Sequence, residues 1–496
     1  MRWPILILPV LALGAPAPPK VVLPTGVLEG AHFGSGRNGG EAFLGIPYAA
    51  PPVGDLRWKP PQPPTPWTGT RKAAEFGSSC PQLPAGWLPQ MAWNEDCLYL
   101  NVWTPRLSTN ARMPVMVWMH GGSNTAGRSQ QDPLGPAFAS LSVVVVSLNY
   151  RLGPFGFLAH PALTAESEHR SSGNYGLLDQ LQALCWVRDN ISRFGGDPAR
   201  VTLAGQSAGA VDACLLMASR MAAGLFQRAI MQSGECQSTL NKDLRTEEES
   251  GKRLARDLGS FQKLRSASAA DILNAWSGDP RLDFEAIVDG WIVPRQPATI
   301  FAEGRQLHVP VLVGSNSDEA TVFAHNVKTV EEYKAFLRED TGEYANKELE
   351  AYPVASDADV PARYIELQDD EFEYGAYSLA KAATAAGDKA YLYYFSWADT
   401  GSRAKLGAFH GEELMFLSGM VPDDWVRSRD MTKLAAGMRA YWVQFIRTGN
   451  PGWPAFDTRN EQCMELGRTM GVRNIPHLAQ IRILEHINQQ IIHARR

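Results

Sequence analysis

The stretch GQSAG, from Gly205 to Gly209, places a serine between two glycines at the spacing Gly-x-Ser-x-Gly. The pentapeptide alone is weak evidence, so its flanks matter. An apolar run of strand type, VTLA at 201–204, precedes it, and a helical pattern follows it. A sharp turn from strand to helix places the serine hydroxyl above the end of the sheet. The backbone of such a turn packs so closely that only glycine fits at the two flanking positions. The pattern predicts that Ser207 is the nucleophile of an acyl transfer.

A serine hydroxyl needs a base to remove its proton, and the base needs a carboxylate to orient it. On turns of this kind the partners follow the serine in the chain order Ser, Asp or Glu, His. The apolar run VPVLVG at 309–314 is followed by a polar loop that carries Asp318 and Glu319. Both residues follow a strand end, and spacing alone leaves the choice between them open.

The base must come from ten histidines. His410, in GAFHGEEL, follows the strand pattern YLYYF and falls at the carboxyl end of the sheet, where ligands bind in open α/β folds. His308 precedes its strand and lies at the wrong end, while His325 remains an alternative in a predicted helix. The C-terminal histidines lie on a helical stretch that favours a surface role: His477, His486 and His493.

Acyl transfer also needs hydrogen-bond donors for the negative charge that develops on the carbonyl oxygen. The stretch HGGSNTAG at 120–127 is a glycine-rich turn directly after the apolar run VMVWM at 115–119. Backbone N–H groups of such a turn can line an oxyanion hole beside the N–H of Ala208, the residue after the serine.

These residues follow short apolar runs that are typical of strands buried on both faces. Helical patterns separate the runs, most clearly at 176–191, where four apolar side chains share one face. Alternating strand and helix predicts an α/β fold with a central, mostly parallel sheet flanked by helices. The predicted strands lie at 115–119, 143–148, 201–204, 309–314 and 391–395.

Two charged, helix-prone intervals interrupt this alternation, at about 240–300 and about 325–385. We interpret them as helical insertions over one edge of the sheet, covering the active site. The simplest organisation is a single domain over residues 20–496 that contains both insertions.

The composition is that of a globular protein, since 45% of the 496 residues are hydrophobic and 20% are charged. The 47 basic and 52 acidic residues give a net charge of −5, which offers no broad cationic surface for nucleic acid or anionic lipid. The sequence has no Cys-x-x-Cys or Cys/His ligand spacing, so we expect no zinc site. A small or neutral partner molecule is expected.

The first 14 residues have the layout of a secretory signal peptide: one basic residue, an apolar run and small residues before a predicted cleavage site. We therefore expect a secreted or periplasmic protein. No other stretch reaches the ~18 apolar residues needed to span a bilayer.

The six cysteines support export in part. Cys80 and Cys97 lie in a loop that contains proline and glycine and that a disulfide could close. Cys185 and Cys214 fall in apolar helical patterns and are predicted to be buried thiols. The last two cysteines have no obvious partner in the sequence: Cys236 and Cys463.

Together the motifs resemble the type-B carboxylesterase family, which includes the cholinesterases, over nearly the whole chain. The resemblance implies an α/β-hydrolase fold. The matching stretches are FLGIPYAAPPVGDLRWKPPQP at 43–63, NEDCLYLNVWTP at 94–105, SLNYRLGPFGFL at 147–158, GNYGLLDQLQALCWVRDNISRFGGDP at 173–198, the turn around Ser207, VGSNSDEA at 313–320, HGEEL at 410–414 and TGNPGWPAFD at 448–457.

The resemblance also implies roles for particular residues. It implies a triad of Ser207, Glu319 and His410, and so selects Glu319 over Asp318. It further implies a disulfide between Cys80 and Cys97 and a structural ion pair between Arg57 and Glu95. The oxyanion hole that it implies consists of Gly121, Gly122, Ser123 and Ala208.

Three features depart from the family pattern. Ser123 stands where the family usually has a third glycine or an alanine, so its backbone must still aim an N–H group into the hole. Gln206 replaces the commoner glutamate beside the nucleophile. The later disulfides of the family have no counterparts here.

Trp87 lies ten residues before Cys97. Cholinesterases place at this offset the tryptophan that holds a quaternary ammonium by cation–π contact. The loop between the two cysteines is shorter here, which favours a packing role for Trp87 over a cation site.

We therefore expect a serine carboxylic-ester hydrolase that acts on uncharged esters through an acyl-enzyme intermediate, with no cofactor and no metal. The neutral amide of Gln206 predicts little preference for choline-like esters. A lipase is the nearer alternative, and a non-catalytic binding module of the same fold is the more distant one. We expect a monomer or a weak dimer that binds a small ester, with no nucleic acid partner and no stable membrane insertion.

Overall fold

The computed structural model describes residues 17–36, 39–89, 91–131, 134–237, 242–323, 326–400, 403–419 and 428–494. The predicted signal peptide at 1–14 and the alternative base His325 lie outside the described residues.

Apolar and β-branched runs form the strands, because side chains of this shape pack well on the covered faces of a pleated sheet. All five predicted strands are confirmed. The strands are β1 (Lys20–Leu23), β2 (Gly26–Glu29), β3 (Ala31–Phe33), β4 (Gly40–Pro47), β5 (Thr70–Lys72), β6 (Tyr99–Thr104), β7 (Met113–Met119), β8 (Val144–Leu148), β9 (Gly196–Gln206), β10 (Arg228–Gln232), β11 (Val311–Asn316), β12 (Ala390–Phe395), β13 (Gln462–Leu466) and β14 (Met470–Asn474).

Eleven of these strands form one sheet in the order β14-β13-β12-β11-β10-β9-β7-β8-β6-β4-β3. The pairings from β8 to β13 in that order are parallel. The strands β6, β4 and β3 at one side and β14 at the other are antiparallel. A small separate sheet has the order β1-β2-β5. The chain thus has the mostly parallel sheet that the alternating patterns predict.

Helices cover the sheet. The charged intervals at about 240–300 and about 325–385 both contain helices, although residues 279–296 of the first form none. Within the described part of the chain, no helix is both long enough and apolar enough to span a membrane. The helices are α1 (Leu134–Ala139), α2 (Gly153–Phe157), α3 (Pro161–Glu166), α4 (Tyr175–Asn190), α5 (Ala208–Ala218), α6 (Leu244–Asp257), α7 (Phe261–Ser266), α8 (Ala269–Gly278), α9 (Pro297–Ala302), α10 (Val330–Thr341), α11 (Ala345–Ala351), α12 (Val360–Ala385), α13 (Glu413–Ser418), α14 (Arg429–Thr448) and α15 (Leu478–Ala494).

Two apolar cores lie on the two faces of the sheet. Alternate side chains of β7 show the division, because successive residues of a strand point to opposite faces. Val115 and Val117 belong to one core, and Met116 and Trp118 belong to the other. Burial on both faces fixes the register of the central strands. The register in turn determines where each strand ends relative to its neighbours.

One disulfide and one ion pair within the first 100 residues match the contacts that the family resemblance implies. Cys80 and Cys97 form a disulfide with an S–S distance of 2.03 Å. The guanidinium of Arg57 pairs with the carboxylate of Glu95 through two contacts, at 2.5 Å and 2.7 Å. Both predictions are confirmed.

The prediction of a buried thiol at Cys214 is wrong, because Cys214 forms a second disulfide with Cys236. Helix α5 packs on β10, so the segment that leaves β10 passes beside the buried face of α5. Cys236 therefore has a partner that its sequence surroundings do not reveal. The remaining thiols are a half-buried Cys185 and a buried Cys463.

Candidate active site

The strand β9 delivers the chain to Ser207, and α5 begins at the next residue. Ser207 has φ 55° and ψ −129°, a conformation that L-residues rarely adopt. Its backbone N–H donates to the carbonyl of Gln232 at 2.8 Å, which ties the turn to the neighbouring strand β10. The surrounding structure thereby holds a strained turn in place, as is common at functional sites.

The glycines of the turn are needed for close packing. A Cβ on Gly205 would lie 2.3 Å from the carbonyl oxygen of Gly209, and one on Gly209 would lie 2.2 Å from that of Met119. Both distances are well inside van der Waals contact, so a side chain at either position would displace the backbone. The turn is as crowded at its two glycines as the sequence pattern predicts.

The carboxyl ends of β11 and β12 bring Glu319 and His410 together. The Nδ1 atom of His410 lies 2.6 Å from Oε2 of Glu319, whose side chain is fully buried. The other carboxylate oxygen of Glu319 accepts from the backbone N–H of Asn316 at 2.7 Å. Glu319 is therefore held from both sides, and it fixes the ring of His410.

Asp318 does not contact His410. Its carboxylate accepts from the backbone N–H of Ala408 at 2.9 Å and faces the loop that precedes the histidine. The two acidic neighbours thus have different places: Glu319 pairs with the imidazole, and Asp318 holds the loop that carries it.

The pKa of His410 reflects two opposed effects. Burial lowers it, but the charge of Glu319 and its hydrogen bond, together with the charge of Glu413, outweigh burial and raise it above its ordinary value. Glu413 is itself fully buried behind the pair and accepts from the side-chain amides of Gln232 and Asn316. Burial and the charge of Glu319 raise the pKa of Glu413 to about 7.

Gln206 contacts the ring nitrogen of His410 that faces away from Glu319. Its side-chain Nε2 lies 3.0 Å from Nε2 of His410. With the proton of Nδ1 shared toward Glu319, Nε2 carries a lone pair, and the amide of Gln206 donates to it. The hydroxyl of Ser207 makes no hydrogen bond with the described residues. The amide of Gln206 therefore occupies the Nε2 lone pair of His410, to which a serine hydroxyl would otherwise donate.

The glycine-rich turn after β7 lies directly beside Ser207. A Cβ on Gly121 would lie 2.9 Å from Cβ of Ser207. Gly122 has φ 113°, and Ser123 has φ 53°. The N–H groups of Gly122, Ser123 and Ala208 are not used in backbone hydrogen bonds among the described residues. The turn therefore leaves two donors beside the serine, even though Ser123 replaces a glycine, and Ala208 of α5 supplies a third.

Asn124 anchors this turn to the helix that follows Ser207. Its side-chain amide donates to Oδ1 of Asp212 on α5 at 3.0 Å, and Gln180 donates to the other oxygen at 2.5 Å. Asp212 is fully buried, and burial raises its pKa to about 7. The glycine-rich turn and the helix that follows Ser207 are thus joined by a buried carboxyl group.

A cavity of about 390 Å³ opens onto Ser207. Phe372 on α12 lines it and lies beside the ring of His410, with centroids 5.2 Å apart. Three glutamates also line the cavity: Glu235, Glu285 and Glu371. Burial raises the pKa of Glu285, and burial with the neighbouring acids Asp340, Glu348 and Asp370 raises that of Glu371.

Trp87 is 64% exposed, so the prediction of a packing role is wrong. The loop between Cys80 and Cys97 carries its side chain outward and over the glycine-rich turn. The ring lies 3.3 Å from the place of a Cβ on Gly122. Trp87 is therefore a neighbour of the turn and is open to solvent.

Comparison with known proteins decides the family. The family model described as "Carboxylesterase family" matches residues 17–484. The chain belongs to the carboxylesterase family. It is a carboxylic-ester hydrolase of the serine type with the α/β-hydrolase fold, as the sequence motifs predict.

Curated relatives of this carboxylesterase cover most of its length. Fumonisin B1 esterase of Sphingopyxis macrogoltabida is 38% identical over 87% of this chain and 84% of its own. Para-nitrobenzyl esterase of Bacillus subtilis is 35% identical over 89% of this chain and 94% of its own. A solved structure of a PNB esterase superposes with a TM-score of 0.82 at 32% identity, covering 94% of this chain and 99% of that one.

Several residues around the site of this carboxylesterase were not singled out from the sequence. Glu413 lies in the quoted motif HGEEL, yet nothing in the motif shows that its carboxyl group is buried behind Glu319. Asp212 and Asn124 lie 88 residues apart, and their contact depends on how the turn packs on α5. The apolar surroundings of Asp212 in AGAVDACLLM were the available signal, since a lone acid in a buried helix requires partners.

Proposed function

We propose that Ser207, His410 and Glu319 form the catalytic triad, and that Gly122, Ser123 and Ala208 supply the oxyanion hole with Gly121 packed against the nucleophile. The observation that carries the proposal is the 2.6 Å contact between His410 and Glu319, on a histidine whose other ring nitrogen contacts Gln206, the residue before Ser207. A buried acid that orients an imidazole beside a serine on a strained turn is the arrangement that acyl transfer needs.

In the first half of the reaction, Nε2 of His410 exchanges the amide of Gln206 for the hydroxyl of Ser207 and removes its proton. The Ser207 oxygen then bonds to the carbonyl carbon of the ester, and the carbonyl oxygen becomes an oxyanion. The three N–H groups stabilise that charge, and loss of one such donor typically costs about 3 kcal/mol of transition-state stabilisation. Collapse of the intermediate breaks the ester C–O bond, and His410 returns the proton to the departing alcohol.

In the second half, water takes the place of the alcohol. His410 removes its proton, the hydroxide oxygen bonds to the acyl carbon, and the bond to Ser207 breaks as the serine regains a proton. Glu319 stays ionised and stabilises the imidazolium in both halves. The products are the free acid, the alcohol and the unchanged enzyme.

We further propose that the substrates are uncharged esters. Gln206 presents a neutral amide to the imidazole where a glutamate would add a negative charge. The pKa of Glu371 is raised well above its ordinary value, which favours its protonated form and so weakens the negative field of the cavity. Both features reduce the attraction for a cationic alcohol such as choline.

Replacement of the nucleophile tests the proposal. Ser207→Ala should abolish hydrolysis of a short-chain p-nitrophenyl ester, with a loss of at least about 10³-fold, while Ser140→Ala should leave the rate unchanged. Intact mass after treatment with an organophosphonate should show one adduct on the wild type and none on Ser207→Ala. A folded wild-type protein that takes up no adduct would contradict the triad and favour the non-catalytic binding module.

We also propose that the protein is exported after removal of its first 14 residues. The two disulfides, Cys80–Cys97 and Cys214–Cys236, are compatible with an oxidising compartment. Mass spectrometry of the protein recovered from the periplasm or the medium should show an N terminus at Ala15. Recovery of the full-length chain from the cytoplasm alone would contradict export.

A further inference from the structure

A second cavity, separate from the one at Ser207, lies beneath the disulfide-closed loop Cys80–Cys97 and against α8. Its volume is about 200 Å³, and the two cavities share no lining residue. Most of its wall is apolar, with Leu83, Leu88, Met91 and Leu273 among the lining side chains. The cavity can therefore enclose the hydrocarbon part of a small molecule.

One side chain of this wall is cationic. Arg128 lines the cavity and is only 5% exposed. Its Nε atom is buried without a hydrogen-bond partner, and its guanidinium makes no ion pair with any described residue. Burial lowers the pKa of Arg128, and no charge of a described residue offsets this effect. An arginine nevertheless keeps its proton in proteins, so the cavity contains a positive charge that no described residue compensates.

The other buried arginines of the described chain are paired. Arg57 contacts both carboxylate oxygens of Glu95, and Arg151 contacts both oxygens of Asp179. A buried charge without a partner is strongly unfavourable, which is why such pairing is the rule. Arg128 is the exception, and the space in front of it is a cavity.

The polar group beside Arg128 is already engaged. The side-chain amide of Gln82 donates to the carbonyls of Cys80 and Gly127 and accepts from the N–H of Gly127. The guanidinium is the charged group among the lining side chains, and its planar fork matches the two oxygens of a carboxylate. We propose that this cavity binds an organic carboxylate whose charged end pairs with Arg128 and whose short apolar chain lies against the leucines.

Calorimetry with hexanoate tests the proposal on the full-length protein after its serine has been blocked with an organophosphonate. The block excludes binding of the acid against Ser207. If no adduct forms, comparison of the Arg128 variants with the wild type assigns the site of hexanoate binding. Adduct formation therefore reports on the proposed triad, and hexanoate binding reports separately on the second cavity. Hexanoate should bind, whereas hexanamide, which has the same shape without charge, should bind at least about tenfold more weakly.

Substitutions assign the binding to Arg128. Arg128→Met should weaken hexanoate binding at least about tenfold, Arg128→Lys should weaken it less, and the exposed Arg245→Met should leave it unchanged. Unaltered affinity in Arg128→Met would overturn the proposal. Inorganic phosphate binding as tightly as hexanoate would also overturn it, because the apolar wall would then contribute nothing.

Thermal unfolding gives a second readout that does not depend on calorimetry. Without ligand, Arg128→Met should have a higher Tm than the wild type, because the substitution removes an uncompensated buried charge. Hexanoate should raise the Tm of the wild type and leave that of the variant unchanged. A lower Tm in Arg128→Met together with unchanged hexanoate binding by that variant would show that Arg128 has a structural role, and would overturn the proposal.

Discussion

At the scale of single residues, Gln206 contacts the ring nitrogen of His410 that faces away from Glu319. Its amide donates to Nε2 of the neutral imidazole and adds no charge that would favour the protonated form. A carboxylate at this position would instead accept from the protonated ring. The choice between amide and acid at this position therefore sets how readily the base becomes charged.

Gln206→Glu should raise the pKa of His410, by about one unit for a carboxylate in direct contact. Only neutral His410 can accept the serine proton, so the acidic limb of the kcat/KM profile should move to higher pH. The measurement is a pH profile with an uncharged p-nitrophenyl ester. Hydrolysis of acetylcholine relative to its uncharged isostere should rise in the same variant.

Gln206→Ala is the matched control, because it removes the contact without adding charge. Its acidic limb should not move to higher pH. An acidic limb that stays in place in Gln206→Glu, or that moves equally in both variants, would show that the charge beside His410 does not determine its pKa.

At the scale of elements, α5 and the glycine-rich turn depend on the same buried acid. Asp212 on α5 accepts from Asn124 of the turn and from Gln180 of α4. In the folded protein its pKa is raised by burial to about 7 from an ordinary value of 3.8. The unfolded chain thus releases this proton at lower pH than the folded protein does.

The sign of the pH effect follows from that difference. The stability that Asp212 contributes is fully present below about pH 4 and is lost as the pH rises through about 7. The free energy of unfolding of the wild type, relative to Asp212→Asn, should therefore fall by about 1.4 kcal/mol per pH unit in that window. Urea unfolding of both proteins at about pH 5 and about pH 8 measures the difference. A difference that does not change with pH would contradict a raised pKa of Asp212.

The elements themselves were largely predictable. Runs such as VVVVSL and YLYYF are short, apolar and bounded by polar loops, and they became β8 and β12 within two residues of their predicted bounds. The edge strands β3 and β14 were not predicted, because their half-exposed residues give no comparable signal. Disulfide pairing of Cys214 and the contact of Gln206 with His410 also depend on packing between distant segments, which local patterns do not encode.

At the scale of the whole molecule, the second disulfide joins α5 to the segment after β10. Its cysteines are 22 residues apart in sequence. Closing a loop of that length in the unfolded chain stabilises the folded state by about 3 kcal/mol. The double substitution Cys214→Ala with Cys236→Ala should lower the free energy of unfolding by about that amount. Urea unfolding without reductant is the measurement.

Cys185→Ala is the control for that variant, because Cys185 is a half-buried free thiol. It should change the free energy of unfolding by less than about 1 kcal/mol. Equal stability of the double variant and the wild type would mean that the disulfide does not constrain the unfolded chain.

The residues of the proposed triad come from three strand ends that are far apart in sequence. The contact between Glu319 and His410 spans 91 residues, and that between Gln206 and His410 spans 204. Contacts of such separation close late, because the entropy of long loops must be overcome first. During refolding from urea, esterase activity should therefore return after most of the helical circular dichroism has recovered. The return of enzymatic activity would therefore report the last step of folding. A folding intermediate that has its helices but lacks these contacts would be inactive.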